Sequence, residues 1–226
     1  MPEIQTPPQI AMLLYPDLTL LDLIGSQTVF SMNSKIYLVW KTLDPVISDT
    51  GISIRPTTTF HDCPSDVDVL FVPGGFGVEV MKDPEVLAFL ADRGSRAKYV
   101  TSVCSGSLVL GAAGLLRGYK ATSHWAARQY LPNFGAEPVE ARVVTDRNRV
   151  TGGGVTAGID FGLVLLSKIL VEEVAKITQL MMEYDPQPPF NAGSPEKAGA
   201  GLDQQAMKIL EPFDQLTRQA AGSSAV

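Results

Sequence analysis

Tyr99-Val-Thr-Ser-Val-Cys104-Ser-Gly-Ser-Leu-Val-Leu-Gly-Ala-Ala-Gly-Leu115 is the stretch on which the fold turns. A β-branched run ends at a cysteine, and small residues then open an apolar helix. This is the pattern of a nucleophile elbow, a sharp strand-to-helix turn that lifts one side chain above a sheet, with Ser105 and Gly106 leaving room around it. Cys104 is thereby placed at a helix N-terminus, where the macrodipole favours the thiolate, the nucleophilic form. A lone buried cysteine is otherwise a small core hydrophobe. The elbow turns the reading towards covalent chemistry.

On either side of this stretch, short apolar runs alternate with helical patterns. Ile10–Leu14 reads as a buried strand closed by Tyr15-Pro16-Asp17, and Leu20–Met32 as a helix. Lys35–Trp40 and Val67–Val72 read as further strands, the latter ending at Pro73-Gly74-Gly75. Pro84–Arg93 is helical, with proline at its start where the missing N–H is harmless. Ala121-Thr122, Ala141–Val144 and Asn148–Thr151 are shorter strand candidates, the last ending at Gly152-Gly153-Gly154. Ile159–Met182 is a long apolar helical stretch with a break near 168–172. Strands alternating with helices predict an α/β fold with a mostly parallel sheet covered on both faces. Sites in such sheets gather beyond the carboxyl ends of the strands, where Gly74-Gly75, Cys104-Ser105 and Gly152–Gly154 fall. These glycines match neither G-x-G-x-x-G nor a P-loop, so nucleotide binding is not indicated.

The 226 residues, 45% hydrophobic and 19% charged, suit one large domain with a well-filled core. The net charge of −6 and the lack of a basic cluster argue against nucleic acid and anionic membrane as partners. No apolar run approaches the roughly 18 residues of a membrane span, and Met1–Pro8 has no signal-peptide character. Two cysteines, Cys63 and Cys104, point to a reducing cytoplasm and not to a disulfide framework. With His61 and His124 they show no metal-ligand spacing, so no metal or other cofactor is expected. Cys63 reads as an inert turn residue and Asp160 as a helix cap. His124 either lines the pocket or satisfies a buried backbone group. From Tyr184 the proline-rich run 185–195 cannot be regular structure. It reads as an arm that Phe190 and Pro188-Pro189 would dock on something, followed by a weak helix over 202–219 and a frayed end over 220–226.

Leu13-Leu-Tyr-Pro-Asp17, Leu21-Asp22-Leu-Ile-Gly25, Val72-Pro-Gly-Gly75, Val103-Cys104-Ser-Gly-Ser107 and Thr151-Gly-Gly-Gly154 occur in the order that resembles the ThiJ/PfpI superfamily. The resemblance spans about residues 9–192. Thr101-Ser-Val-Cys104, Ser123-His124-Trp125, Gly152-Gly-Gly-Val-Thr-Ala-Gly-Ile-Asp160 and Pro189-Phe-Asn-Ala-Gly-Ser-Pro195 are most similar to its isocyanide hydratase branch. The resemblance implies a flavodoxin-like three-layer sandwich over residues 1–190, related to class I glutamine amidotransferases, and a homodimer. Residues 191–226 would then be a C-terminal arm and helix packed on the domain or on a second subunit. It makes Cys104 the nucleophile and Asp22 its acid partner, where most of the superfamily carries glutamate. Ser105 stands where superfamily proteases place histidine and where bacterial hydratases carry threonine, so a Cys-His peptidase is not implied. Ile24-Gly25-Ser26 departs from the usual Thr-Gly-Pro, which puts a helix-start contact in question.

The chemistry can be reasoned from the residues. Hydration of an isocyanide, R–N≡C, must deliver a proton and an oxygen nucleophile to one carbon. A thiolate beside a carboxylic acid supplies both through a Cys104 thioimidate, with Asp22 first as acid and then as base. Backbone N–H groups near Gly74, Gly75 and Val155 would stabilise developing charge and bind substrate, and the Ser105 hydroxyl would hold a substrate atom or the attacking water. Alone, Asp22 would be an acid at a helix start. The alternatives are a non-enzymatic or redox-sensing protein in which Cys104 oxidises, and a glyoxalase or deglycase, which would be expected to carry glutamate in place of Asp22. Regulator relatives append a helix-turn-helix module, for which the roughly 35 residues after Pro189 are too few.

Overall fold

The computed structural model describes residues 6–199 and 201–222. In chain order the elements are β1 (Gln9–Leu13), α1 (Leu20–Ser31), β2 (Lys35–Trp40), a hairpin of β3 (Val46–Ile47) and β4 (Ser53–Ile54), β5 (Thr58–Thr59), β6 (Val69–Val72), a 3₁₀ helix Val78–Lys82, and α2 (Pro84–Arg96). They continue with β7 (Tyr99–Val103), α3 (Gly106–Ala112), β8 (Lys120–Ala121), a second 3₁₀ helix Arg128–Phe134, β9 (Glu137–Pro138), β10 (Val143–Asp146) and β11 (Arg149–Gly152). Five helices close the chain: α4 (Ala157–Ile169), α5 (Glu172–Met181), α6 (Pro195–Ala198), α7 (Leu202–Ile209) and α8 (Glu211–Gly222).

A seven-stranded sheet runs β10-β11-β7-β6-β1-β2-β5, parallel throughout except for the antiparallel edge pair β10–β11. The central strands are buried on both faces, which is why they read as unbroken apolar runs and not as alternating patterns. Helices α1, α4 and α5 pack together on one side, and α2, α3 and the 3₁₀ helices on the other, giving the three-layer α/β sandwich. Phe161 of α4 joins the first layer to the sheet, its ring 6.3 Å from Phe30 and 5.6 Å from Phe71, all three buried. Burying each ring contributes about 1.5–3 kcal/mol. The α1–α4 crossing is close because Gly158 and Gly162 face Ser26 and Val29 at 3.0 Å of where a Cβ would sit.

The order of strands reverses between β1 and β6: from β1 the chain goes one way to β2 and then crosses back to β6 and β7. That switch point opens a crevice above the carboxyl ends of β1, β6 and β7.

Several details depart from the sequence reading. Ala121 belongs to a separate small sheet with β9, and β3, β4 and β5 are too short to leave a periodic signal. The long C-terminal helical stretch does break, at Leu170-Val171, between α4 and α5. Ala220 and Ala221 are buried on the domain and not frayed; residues 223–226 and 1–5 lie outside the described residues. Within this chain Phe190 is not docked, being 79% exposed.

Candidate active site

Strand β7 leads directly into Cys104, whose φ of +54° is costly for a side-chain-bearing residue. The turn is held from both sides. Its N–H donates to Gly152 O at 3.1 Å and Gly153 O at 2.7 Å on the neighbouring strand end. Its carbonyl accepts from Ser107 Oγ at 3.2 Å and Ser123 Oγ at 2.8 Å. Gly106 opens α3 so close to the β6 end that a Cβ would lie 2.3 Å from Val72 O. The cysteine is thus pinned at the tip of a rigid elbow.

Asp22 arrives from the first turn of α1 and is fully buried. The start of that helix is tied to the crevice: Thr19 N–H donates to Gly74 O at 2.8 Å, and Leu20 N–H to Asp49 Oδ1 at 3.0 Å. Asp22 Oδ2 accepts from Gly74 N–H at 3.0 Å. Oδ1 has no conventional hydrogen-bond partner among the described residues, so the loop anchors one oxygen of the carboxyl and leaves the other unpaired. Gly74 is where the groups converge. A Cβ there would lie 2.6 Å from Cys104 Cβ, 2.7 Å from Asp22 Oδ2 and 2.7 Å from Ser105 N.

Burial raises the Asp22 carboxyl from 3.8 to about 7, against the stabilising contacts of Cys104 and the Gly74 N–H. Burial and the Asp22 charge push the Cys104 thiol well above its ordinary value, against the backbone N–H groups of Ser105 and Val155 directed at it. Desolvation and the Asp22 carboxylate thus oppose the pull towards the thiolate expected from the N-terminus of the short helix α3. The two groups form one coupled site, in which a proton on one lowers the cost of charge on the other.

Ser105 Oγ donates to Gly75 O at 3.0 Å and accepts from Gly75 N–H at 2.9 Å. The N–H groups of both Gly74 and Gly75 are thus engaged, one by Asp22 and one by Ser105, and neither is an open oxyanion donor as expected. The Ser105 hydroxyl likewise clamps the Gly75 loop. Ser105 and Val155 supply the N–H groups that face sulfur. Tyr15, missed in the sequence, is buried beside the pair and donates its hydroxyl to Pro73 O at 2.9 Å; burial and the Asp22 and Cys104 charges raise its pKa. Its position in Leu14-Tyr15-Pro16, at the end of β1, was the available signal.

His124 packs against Gly154 and accepts from Ala126 N–H at 3.3 Å, and burial lowers its pKa. Asp160 is not a cap. Its Oδ2 accepts from Arg142 Nε at 2.6 Å and from the Tyr184 hydroxyl at 2.9 Å, tethering the start of the arm. Cys63 lies buried in its turn near Arg93, remote from the pair in the fold. Among the described residues no group of three or more His, Cys, Asp or Glu could hold a metal ion.

The sequence profile of the DJ-1/PfpI family matches residues 8–168. The chain belongs to the DJ-1/PfpI family. It is 50% identical over 207 residues to the isonitrile hydratase of Pseudomonas putida, covering 90% of each chain. A crystal structure of a ThiJ/PfpI family protein from Pseudomonas syringae superposes with a TM-score of 0.94 at 52% identity, covering 98% of this chain and 97% of that one. The HTH-type transcriptional regulator GbdR of Pseudomonas aeruginosa is 28% identical over 194 residues, covering 81% of this chain and 53% of its own. Among the described residues of this DJ-1/PfpI chain, no helix is long and apolar enough to cross a membrane.

Proposed function

We propose that the chain hydrates isocyanides to N-substituted formamides without a cofactor. The observation that carries this reading is the convergence of a buried thiol, Cys104, and a buried carboxyl, Asp22, on Gly74. The likeness to an isonitrile hydratase over 90% of both chains supports it.

Burial raises the Asp22 carboxyl to about 7 and the Cys104 thiol well above its ordinary value, so the thiol proton is one that the pair can pass between its members. As sulfur bonds to the terminal isocyanide carbon, the Asp22 carboxylate takes the Cys104 thiol proton and delivers it to that carbon, leaving a thioimidate, R–N=CH–S–Cys104, and an Asp22 carboxylate. The N–H groups of Ser105 and Val155 stabilise sulfur as its charge develops. Asp22 then takes a proton from water as the water oxygen attacks the same carbon and passes it to nitrogen. The C–S bond breaks, sulfur recovers the second proton, and R–NH–CHO leaves. Ser105 keeps the Gly74–Gly75 loop, and with it the anchored Asp22 oxygen, in place.

In this reading residues 1–190 are the catalytic unit and residues 191–226 an arm and helix serving it. In the same reading the protein acts as a homodimer, in which exposed apolar side chains such as Leu180, Phe190 and Ile209, about 80% exposed in the single chain, would find cover on a second copy. A catalytic free thiol suits the reducing cytoplasm. The test is a spectrophotometric assay of purified protein with an aryl isocyanide, the product identified by mass. Formamide formation dependent on Cys104 is expected. Turnover of methylglyoxal or a peptide without formamide formation would replace this reading with a deglycase or peptidase.

A further inference from the structure

A second feature borders Ser105, a small pocket whose lining does not include Cys104. Helix α8 crosses the first 3₁₀ helix and sets Phe213 edge-on against Phe76, ring centroids 5.6 Å apart, beside the Gly74–Gly75 turn. Four residues on, Thr217 is fully buried, and its Oγ1 has no hydrogen-bond partner among the described residues. Thr217 and Ser105 are the hydroxyl-bearing aliphatic side chains lining a small chamber of about 10 Å³, with Tyr15 and the Gly75 and Gly77 backbone beside them and apolar side chains such as Met81, Leu108 and Phe213 closing the rest. That volume is at the lower edge of what one water molecule requires. A buried hydroxyl left unpaired costs on the order of a hydrogen bond, and a bridging water removes the cost.

We infer that this chamber is a binding site for a single water molecule, held between Thr217 Oγ1 and Ser105 Oγ, and that it supplies the water consumed in hydrolysis of the Cys104 thioimidate. Ser105 Oγ uses its proton on Gly75 O and one lone pair on Gly75 N–H, and it has a second lone pair to accept from water. Ser105 also stands between the chamber and the pair, since its backbone N–H faces the Cys104 sulfur. When the Ser105–Gly75 clasp opens, water passes from the chamber towards the thioimidate carbon. Its oxygen bonds to that carbon, one proton goes through Asp22 to nitrogen, the C–S bond breaks, and the second proton returns to sulfur. This makes the C-terminal helix part of the site. The supply role rests on the isocyanide reading, whereas the water site itself does not.

Two experiments test it. Thr217→Val keeps the shape and removes the hydroxyl, and Thr217→Ser restores it. With an aryl isocyanide, Thr217→Val is expected to slow turnover at least tenfold and to accumulate Cys104 carrying the mass of one isocyanide, while Thr217→Ser recovers hydrolysis. A loosened fold would slow formation of the adduct and would not accumulate it. A folded Thr217→Val enzyme with wild-type turnover and no adduct overturns the supply role. Independently of activity, a high-resolution crystal structure of the wild-type protein is expected to show one ordered water between Thr217 and Ser105, lost in Thr217→Val. A dry wild-type chamber overturns the site even if isocyanides are turned over. Wild-type protein that holds the water but makes no formamide sinks the isocyanide reading and, with it, the supply role.

Discussion

Asp22 and Cys104 meet across Gly74, where an added methyl would lie 2.6 Å from Cys104 Cβ and 2.7 Å from Asp22 Oδ2. Such separations are far inside van der Waals contact, and the nearby Ser105 N is backbone that cannot yield cheaply. Gly74→Ala is expected to displace the pair and reduce hydration at least a hundredfold, with a stability loss of about 1–3 kcal/mol from overpacking. Urea unfolding and the isocyanide assay measure the two effects. A Gly74→Ala protein with wild-type turnover would contradict the convergence described here.

The two cysteines should separate cleanly. Cys104→Ala is expected to abolish formamide production, whereas Cys63→Ala should leave turnover nearly intact and cost about 1 kcal/mol from a small buried void. Equal loss in both variants would overturn the assignment of the nucleophile.

Asp22→Asn keeps the shape of the side chain and removes its exchangeable proton, so turnover should fall by about 10²–10⁴ or more, since one group serves two steps. Asp22→Glu should also impair turnover by displacing the carboxyl. Thiol chemistry moves the other way. Without the Asp22 charge, which raises the Cys104 pKa, Cys104 in Asp22→Asn should react faster with iodoacetamide, read by mass spectrometry. Unchanged alkylation would show that burial alone controls the thiol.

The same carboxyl makes stability depend on pH. Its folded pKa is raised from 3.8 to about 7, so the native chain holds the proton more tightly than the unfolded one. The associated stability is fully present below about pH 4 and is lost as pH rises through 7. At about 1.36 kcal/mol per unit, the loss approaches about 4 kcal/mol. Asp22→Asn lacks this dependence. Urea unfolding at acidic and mildly alkaline pH should give the variant a flatter profile and greater stability than wild type at alkaline pH. Parallel profiles would refute the raised carboxyl.

Ser105→Ala would leave both Gly75 N–H and Gly75 O without their partner, a cost of about 1–3 kcal/mol for each buried group left unsatisfied. Lower stability and lower turnover are expected together, and Ser105→Thr, which keeps the hydroxyl, should recover most of both. Thermal denaturation and steady-state kinetics decide. An unperturbed Ser105→Ala enzyme would remove the clasp from the mechanism.

The local chemistry of the chain determined most of the sandwich by itself. Strands such as Val69–Val72 and Tyr99–Val103 are buried on both faces, so their apolar character needs no partner to be legible. The elbow at Cys104 was equally legible, because strand, cysteine and small residues are contiguous. What depended on long-range contact was not. Asp22 reaches Cys104, 82 positions further along the chain, only because the strand order reverses between β1 and β6. The proton affinities of the pair follow from shared burial, which a local helix-dipole argument does not include. The N–H groups of Gly74 and Gly75 looked open until tertiary structure gave them to Asp22 and Ser105. Asp160 looked like a cap until Arg142 and Tyr184 claimed it. Local pattern sets which segments fold and where a side chain is lifted; hydrogen-bond partners and proton affinities belong to groups distant in sequence, and only their packing into one dry crevice assigns them.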